Sequence, residues 1–424
     1  MFCFPVFSIL FFGCKKEEVD EDPPNIFLEA PFENQTFSSV DTIEVVAVVT
    51  DDQNVSSIEV ELLTLDNQLI TKRQFNFSGT EVSFAYSFEI DQPLLASGQY
   101  YFALRARDGV NRSSSFRQIL INAIPREIEQ YIVATTETNS VHLETSNDLQ
   151  TWINRVSRFM DYNGCDLNYK QNIVGIVGGD VGDAEFYNTA EFEQLVSYPG
   201  FGIPSIPFYL GLDYSEISEK FVLLQNDPQA RLLDQEAQPL SSTILMPNFL
   251  PSKSFGFDDR YFVLEKRITN NERFLNLYSF AGLRLKSFTV LGPVIGIFEK
   301  DLDEYFVWVD EENRTVLYEL NTQTELFAPV YERSDENLLS VVETDNSVFI
   351  FSTDQGIYRY TYFNGGTNPL NDQFSPNQLV YDDLNGLVYG MNGESLYEFS
   401  TTGQFIRSIE FNRELVFFGI DYNR

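Results

Sequence analysis

The residues with the clearest chemical potential are aspartates that recur at the ends of predicted short strands. The chain contains 63 acidic residues, 28 basic residues and a single histidine. Carboxylates gathered at one mouth of a channel raise one another's pKa or recruit cations. We therefore expect a ligand- or cation-binding ring, with Ca²⁺ as the candidate ion, formed by Asp180, Asp213, Asp258, Asp301, Asp345, Asp382 and Asp421.

A structural explanation competes with this ring. Aspartate is favoured in turns because its side chain accepts hydrogen bonds from nearby backbone N–H groups. Asp259, Asp303 and Asp383 lie beside members of the predicted ring and fit the same turn explanation. The sequence leaves both interpretations open.

Most familiar catalytic machinery is absent from the sequence. With His142 as the one histidine, this chain cannot by itself build a metal site based on several histidines. The three cysteines, Cys3, Cys14 and Cys165, show no pairing pattern for a disulfide framework. No Walker loop, H-E-x-x-H or G-x-S-x-G motif is present. Any catalysis would therefore have to use Asp, Glu, Tyr or Arg. Paired carboxylates could serve as acid and base in glycan cleavage.

The elements that would position these carboxylates are revealed by residues 292–331. This stretch holds four short apolar runs separated by turn-forming residues, the pattern of one antiparallel four-stranded meander. The pattern returns on either side, and a repeat of about forty residues is typical of β-propeller blades. We predict a propeller over residues 127–424, with seven blades favoured and six or eight left open.

The two ends of the predicted propeller complement each other. Residues 127–158 supply only the second to fourth strands of a blade, and residues 414–422 resemble an innermost strand with nothing after it. We expect the C-terminal strand to close the ring. The other innermost strands are predicted at 172–177, 206–212, 253–257, 294–298, 338–343 and 378–381. A short helix is predicted at 190–196.

A smaller domain is predicted over residues 26–123. Alternating polar and apolar residues, as in Thr42–Val45, indicate half-buried strands at regular spacing. The segments VVTDDQNVSSIEVEL and RARDGVNRSSSFRQILI resemble bacterial Ig-like or fibronectin-III-like spacer modules. The fold class expected for the whole chain is therefore all-β: an Ig-like sandwich followed by a propeller.

The N-terminal sequence predicts the location of the protein in the cell. Residues 2–12 are apolar but too short to span a bilayer, and Gly13-Cys14 and the run KKEEVDEDPP follow. This order resembles the signals of surface lipoproteins in the Bacteroidetes group. The resemblance implies a signal peptide at 1–13, acylation of Cys14 and a charged tether at 14–25. It also implies a membrane partner through a lipid anchor and an outer-membrane location facing the cell exterior.

The charge balance narrows the class of partner. A net charge of −35 repels nucleic acid, so we expect no nucleic-acid partner. The sequence favours a non-catalytic binding or scaffolding protein whose propeller takes an extracellular glycan or protein. The alternative is a carboxylate-dependent glycan hydrolase or lyase.

Replacing the predicted acylation site tests whether a lipid anchor holds the protein at the membrane. Cys14→Ala should move the protein from the membrane fraction to the soluble fraction, because the acyl chains provide the apolar surface that enters the bilayer. Immunoblotting of fractionated cells measures this, with Cys165→Ala as the matched control. A Cys14→Ala protein that stays with the membrane contradicts the lipid anchor.

Overall fold

The structure is a computed structural model that describes residues 22–90, 92, 95–201 and 207–423. The predicted signal peptide, Cys14 and most of the predicted tether lie outside these residues. Regular structure in the described part is almost entirely β, with two short 3₁₀ helices at Tyr169–Gln171 and Tyr362–Asn364. Within those ranges, no helix has the length and apolar character needed to cross a membrane. The chain divides into two compact units between Pro125 and Arg126.

The first unit is a sandwich of two sheets. The smaller sheet has the strand order β1-β3-β6, and the larger one has the order β2-β8-β7-β4-β5. Alternate residues of both sheets, such as Val45 and Phe102, share one hydrophobic core. The strands are β1 (Asn25–Ala30), β2 (Thr36–Ser38), β3 (Thr42–Thr50), β4 (Ser57–Leu63), β5 (Leu69–Asn76), β6 (Glu81–Glu89), β7 (Gly98–Arg107) and β8 (Arg112–Asn122).

The described residues of the second unit form seven antiparallel four-stranded sheets, which are the blades of a β-propeller. Blade 1 combines β9 (Ile128–Glu137), β10 (Ser140–Ser146) and β11 (Ile153–Phe159) with the last strand of the chain, β36 (Glu414–Tyr422). Blade 2 is β12 (Gly164–Asn168), β13 (Ile173–Val177), β14 (Ala184–Asn188) and β15 (Gln194–Tyr198). Blade 3 is β16 (Tyr209–Ser215), β17 (Lys220–Gln225), β18 (Gln229–Leu233) and β19 (Pro239–Ile244).

The remaining blades follow the same order, from the innermost strand outward. Blade 4 is β20 (Phe249–Phe257), β21 (Arg260–Arg267), β22 (Arg273–Ser279) and β23 (Arg284–Val290). Blade 5 is β24 (Val294–Asp301), β25 (Glu304–Asp310), β26 (Arg314–Asn321) and β27 (Leu326–Ser334). Blade 6 is β28 (Leu338–Asp345), β29 (Val348–Thr353), β30 (Gly356–Thr361) and β31 (Gly366–Asn371). Blade 7 is β32 (Gln378–Asp382), β33 (Leu387–Asn392), β34 (Ser395–Ser400) and β35 (Phe405–Glu410).

Each pair of neighbouring blades buries its own hydrophobic cluster. Trp308 of blade 5, for example, packs on Phe349 and Phe351 of blade 6. Such a cluster lies between every adjacent pair, including blades 7 and 1. The innermost strands also contact one another in a complete circle. The predicted propeller and its seven blades are therefore confirmed.

The ring closes as the sequence predicts. Strand β36 pairs antiparallel with β9 from Glu414 opposite Thr136 to Tyr422 opposite Ile128. Its apolar residues Phe418 and Ile420 enter the cluster between blades 7 and 1, where Tyr389 also lies. Closure satisfies the backbone groups of β9 that would otherwise form an open sheet edge.

Two sequence predictions for blade 2 are wrong. The innermost strand is Gly164–Asn168, and the predicted one at 172–177 is the second strand of the blade. The helix predicted at 190–196 is a turn followed by the strand Gln194–Tyr198. In blade 3, the innermost strand extends through Asp213 to Ser215, beyond the predicted end, and Ile206 lies outside the described residues.

Truncation before Glu414 tests ring closure. A chain ending at Arg413 should fail to accumulate as soluble folded protein, because blade 1 loses its innermost strand and β9 becomes an exposed edge. Soluble yield and thermal melting measure this. Melting identical to that of the full chain would contradict the closure.

A point variant tests the same closure if the truncated chain cannot be purified. Phe418→Ala should lower the free energy of unfolding by about 3–5 kcal/mol, since a buried aromatic side chain is deleted. Phe363→Ala is the matched control, because Phe363 is 77% exposed and its loss should change stability by about 0.5 kcal/mol or less.

Candidate functional site

A cavity of the propeller lies on its central axis, at the carboxyl ends of the innermost strands. It has a volume of about 960 Å³ and is lined by residues of β12, β16, β24, β28, β32 and β36 and of their following turns. A second cavity of about 530 Å³ is lined by earlier residues of β20, β24, β28 and β32. Both cavities include Val341 and Gln378, so they lie along one channel. We call the larger one the axial cavity.

Two glutamates form the acidic wall of the axial cavity. Glu299 of β24 and Glu343 of β28 occupy matching positions in neighbouring innermost strands, each two residues before the strand ends in aspartate. Burial raises the pKa of Glu299, and the charge of Asp258 adds to the effect. Burial also raises the pKa of Glu343, whose Oε1 atom accepts a hydrogen bond of 2.8 Å from the Ser347 backbone N–H.

Arg126 dominates another part of the cavity wall. Its guanidinium lies 3.8 Å from the centroid of the Tyr422 ring and 5.3 Å from that of Tyr169, within cation–π range. The Nη1 atom forms an ion pair of 2.7 Å with Asp383. The Tyr169 hydroxyl donates to Glu216, which also lines the cavity. Aromatic rings and polar groups therefore alternate along this wall.

Lys300 is the second cation in the cavity lining, and it already has partners. Its Nζ atom lies 2.7 Å from Glu319 and 3.2 Å from Glu304. The rings of Tyr362 and Phe306 lie within 6 Å of the same atom. Lys300 is therefore held by residues of blades 5 and 6 and adds little unpaired positive charge to the cavity.

Charged side chains also line the channel below the acidic wall. Asp166 Oδ2 accepts from the Tyr214 backbone N–H at 2.6 Å, and burial with the nearby charge of Asp213 raises the pKa of Asp166 to about 7. Asp213 Oδ2 accepts from the Ser254 N–H and hydroxyl, and burial raises its pKa as well. Burial lowers the pKa of Lys253, whose Nζ donates to the Ile295 carbonyl at 2.8 Å.

The structure does not assemble the seven predicted aspartates into one ring. Asp345 lies in the wall of the axial cavity, whereas Asp258 and Asp301 are exposed at the ends of their strands. Asp213 is hydrogen-bonded to Ser254 of the neighbouring innermost strand and is not among the described residues that line either cavity. Asp180 follows β13, a second strand, because the sequence assigned the wrong innermost strand in blade 2. In the described ranges, no group of three or more His, Cys, Asp or Glu side chains is placed to hold a metal ion.

The remaining two aspartates are fully buried between blades. Asp382 accepts hydrogen bonds from the Leu384 and Asn385 backbone N–H groups and from the Tyr422 hydroxyl. Asp421 Oδ2 accepts from Gln130 Nε2 at 3.0 Å. Both side chains therefore connect structural elements. The turn explanation accounts for Asp382.

The glycine-rich turn after β13 is occupied by its own chain. The carboxylate of Asp161 accepts hydrogen bonds from the backbone N–H groups of Gly179, Asp180 and Val181 at 2.7–2.9 Å. These are the groups that would bind an anion in a nest of backbone amides. The turn is a hairpin capped by a neighbouring side chain.

Sequence reasoning missed the glutamates that line the cavity. The signal was available as the repeated pattern Glu-x-Asp, at Glu299-Lys300-Asp301 and at Glu343-Thr344-Asp345. Register shifts between Glu299 and Asp301, and between Glu343 and Asp345, interrupt the alternation of side chains at these strand ends. Asp166 was missed because its strand was not recognised as innermost. Arg126 precedes the predicted propeller boundary.

Comparison with known proteins supports the fold without indicating an activity. No protein-family model matches the chain, and no curated protein matches it in sequence. A solved structure of a protein from Lactobacillus plantarum has 12% identity and a TM-score of 0.52, and the match covers 69% of this chain and 99% of that one. This similarity indicates a related fold only.

Two other similar structures have TM-scores below 0.5. One is a quinonprotein alcohol dehydrogenase-like protein from Bacteroides thetaiotaomicron, with 9% identity and a TM-score of 0.48, covering 94% of this chain and 99% of that one. The other comprises the WD40 repeats of RRP9, with 8% identity and a TM-score of 0.49, covering 66% and 86% respectively.

Asp421 predicts a pH dependence of stability. Burial raises its pKa from 3.8 to about 6 in the folded protein. The folded state therefore binds this proton more tightly than the unfolded chain does. The resulting stabilisation is fully present below about pH 4 and is lost as the pH rises through about 6, for a change of roughly 3 kcal/mol.

Asp421→Asn should remove this dependence. The variant should be more stable than the wild type above pH 6, and the difference should shrink toward pH 4, because the amide carries no charge to bury. Urea unfolding between pH 4 and 8 measures it, with the exposed Asp301→Asn as control. A difference that does not vary with pH, or an equal effect of both variants, contradicts the assignment.

Proposed function

We propose that this protein binds an extracellular glycan or protein in the axial cavity of its propeller and has no catalytic role. The main support for this proposal is the size and lining of the cavity. Its volume of about 960 Å³ is at the upper end of the roughly 300–1,000 Å³ of ligand sites. Its lining combines aromatic faces with many charged and polar groups, and polar groups in a cavity orient a ligand.

The cellular setting of this binding role is also a proposal. The Gly13-Cys14 junction, the apolar run before it and the charged run after it support a lipoprotein at the outer surface of the outer membrane. The first unit would then act as an Ig-like spacer between the tether and the propeller. Two sheets around one core, with strands matching the predicted ones, support that role.

A second candidate function is carboxylate-dependent glycan cleavage by hydrolysis or elimination. One observation favours it: Glu299 and Glu343 face a deep cavity, and burial raises the pKa of each. A carboxyl group with a raised pKa can act as a general acid, and a second carboxylate can act as the base or nucleophile.

Filling the axial cavity tests the proposed function. The full-length protein is screened against an array of purified oligosaccharides and a panel of purified extracellular proteins, by both binding and release of reducing sugar ends. Thr344→Trp places a large side chain in the cavity wall and should weaken the binding of any ligand found by at least tenfold. Glu394→Trp, in the exposed turn between β33 and β34, is the matched control and should bind normally.

The outcomes separate the two functions. Ligand binding without release of reducing ends supports the binding role. Release of reducing ends that disappears in Glu343→Gln establishes glycan cleavage instead. Binding that survives Thr344→Trp, or that Glu394→Trp weakens equally, overturns the assignment of the axial cavity.

A further inference from the structure

We propose that the ligand of the axial cavity is a polypeptide segment that inserts a lysine or arginine side chain between Glu299 and Glu343. This inference rests on the proposed function, because it concerns the same cavity. It goes further by naming the chemistry of the ligand. Four features of the cavity support it. Its wall has carboxylates without an ion pair, and its two cations already have ion-pair partners. Its lining has apolar surface, and apolar side chains lie beside its mouth.

The first observation is that negative charge exceeds positive charge in the lining of the cavity. Six carboxylates line the cavity, against two cationic side chains. Within the described residues, Glu299, Glu343 and Asp345 form no ion pair. The hydrogen bond that Glu343 accepts comes from the Ser347 backbone. Glu343 is half-buried, whereas Glu299 and Asp345 are exposed. Carboxylates that line a cavity without a counter-ion favour a ligand that brings positive charge.

The second observation is that the cavity's own cations cannot neutralise this wall. Arg126 is paired with Asp383 and stacked on Tyr422, and Lys300 is paired with Glu304 and Glu319. Moving either one toward Glu343 would break an existing ion pair. The ammonium or guanidinium group of a ligand could pair with the acidic wall without breaking an ion pair of the protein.

The third observation concerns the lining between the charged groups. Phe298, Val341, Val342 and Val380 give the cavity apolar surface beside Glu299 and Glu343. A lysine or arginine side chain has an apolar stem below its charged head, so it can cover this surface while its head reaches the carboxylates.

The fourth observation favours a polypeptide over a small amine or an amino sugar. The turns that follow three innermost strands carry exposed apolar side chains beside the mouth of the cavity: Ile217, Leu302 and Leu384, at 51%, 75% and 42% exposure. Apolar groups around a charged centre match a peptide in which apolar residues flank the basic one. A metal ion fits less well, because the described residues gather no set of three ligating side chains.

Peptide binding to the full-length protein tests this inference. The probe is a fluorescein-labelled (Gly-Lys-Leu)₄ peptide, followed by fluorescence polarisation. We expect saturable binding that is lost when the lysines are acetylated, because acetylation removes the charge and keeps the stem. The double variant E299Q/E343Q should weaken binding by at least tenfold. E343Q alone should weaken it less, and thermal melting confirms that each variant is folded.

A charge-matched control removes the contribution of the overall negative field. Glu312 and Glu394 lie in exposed turns between second and third strands, at the opposite end of the blades from the axial cavity. E312Q/E394Q removes the same charge and should bind the peptide like the wild type. Equal weakening by this control, unchanged binding by E299Q/E343Q, or equal binding of the acetylated peptide overturns the inference.

A further arm separates failure of the inference from failure of the proposed function. Chitosan oligomers and neutral oligosaccharides are tested in the same format, with Thr344→Trp as the blocked form. Binding of a sugar that Thr344→Trp abolishes, without binding of the lysine peptide, overturns the peptide inference and keeps the cavity as a binding site. If Thr344→Trp blocks no ligand at all, both proposals fall.

Discussion

The antiparallel pairing of β36 with β9 is the interaction on which the propeller depends. It joins residues from the two ends of the second unit and gives blade 1 its innermost strand. Leu415, Phe418 and Ile420 then complete the cluster between blades 7 and 1. Without this pairing the circle of innermost strands is open, and the axial cavity loses the wall formed by Phe417–Ile420. The position of every cavity residue therefore depends on a contact between distant parts of the sequence.

The channel is also held by polar bonds from one blade to the next. Asp166 accepts from the backbone of Tyr214, and Lys253 donates to the carbonyl of Ile295. Asp213 makes the corresponding bonds to Ser254. Buried charged groups are costly unless they are hydrogen-bonded, and here the neighbouring blade provides the partner. The same side chains therefore set both the spacing of the blades and the charge of the channel.

Sequence periodicity predicts the number of blades well and the identity of the cavity residues poorly. Turn residues and apolar runs were sufficient to predict the seven four-stranded meanders and the closing strand. The prediction of the innermost strand of blade 2 was wrong because the second strand, Ile173–Val177, is entirely buried and apolar. The innermost strand carries Asp166 beside the channel. A second strand has both faces covered by neighbouring blades, so apolar character alone does not identify the innermost strand.

The position of the last strand has a consequence for how the protein is made. During synthesis, blades 2 to 7 emerge in order, each with all four strands available to it. Blade 1 has only β9, β10 and β11 until residues 414–422 leave the ribosome. The β9 side chains that pack between blades 7 and 1, Tyr131 and Val133, must therefore wait for the far end of the polypeptide. A chaperone that shields this one unfinished blade would protect the whole propeller until its final strand arrives.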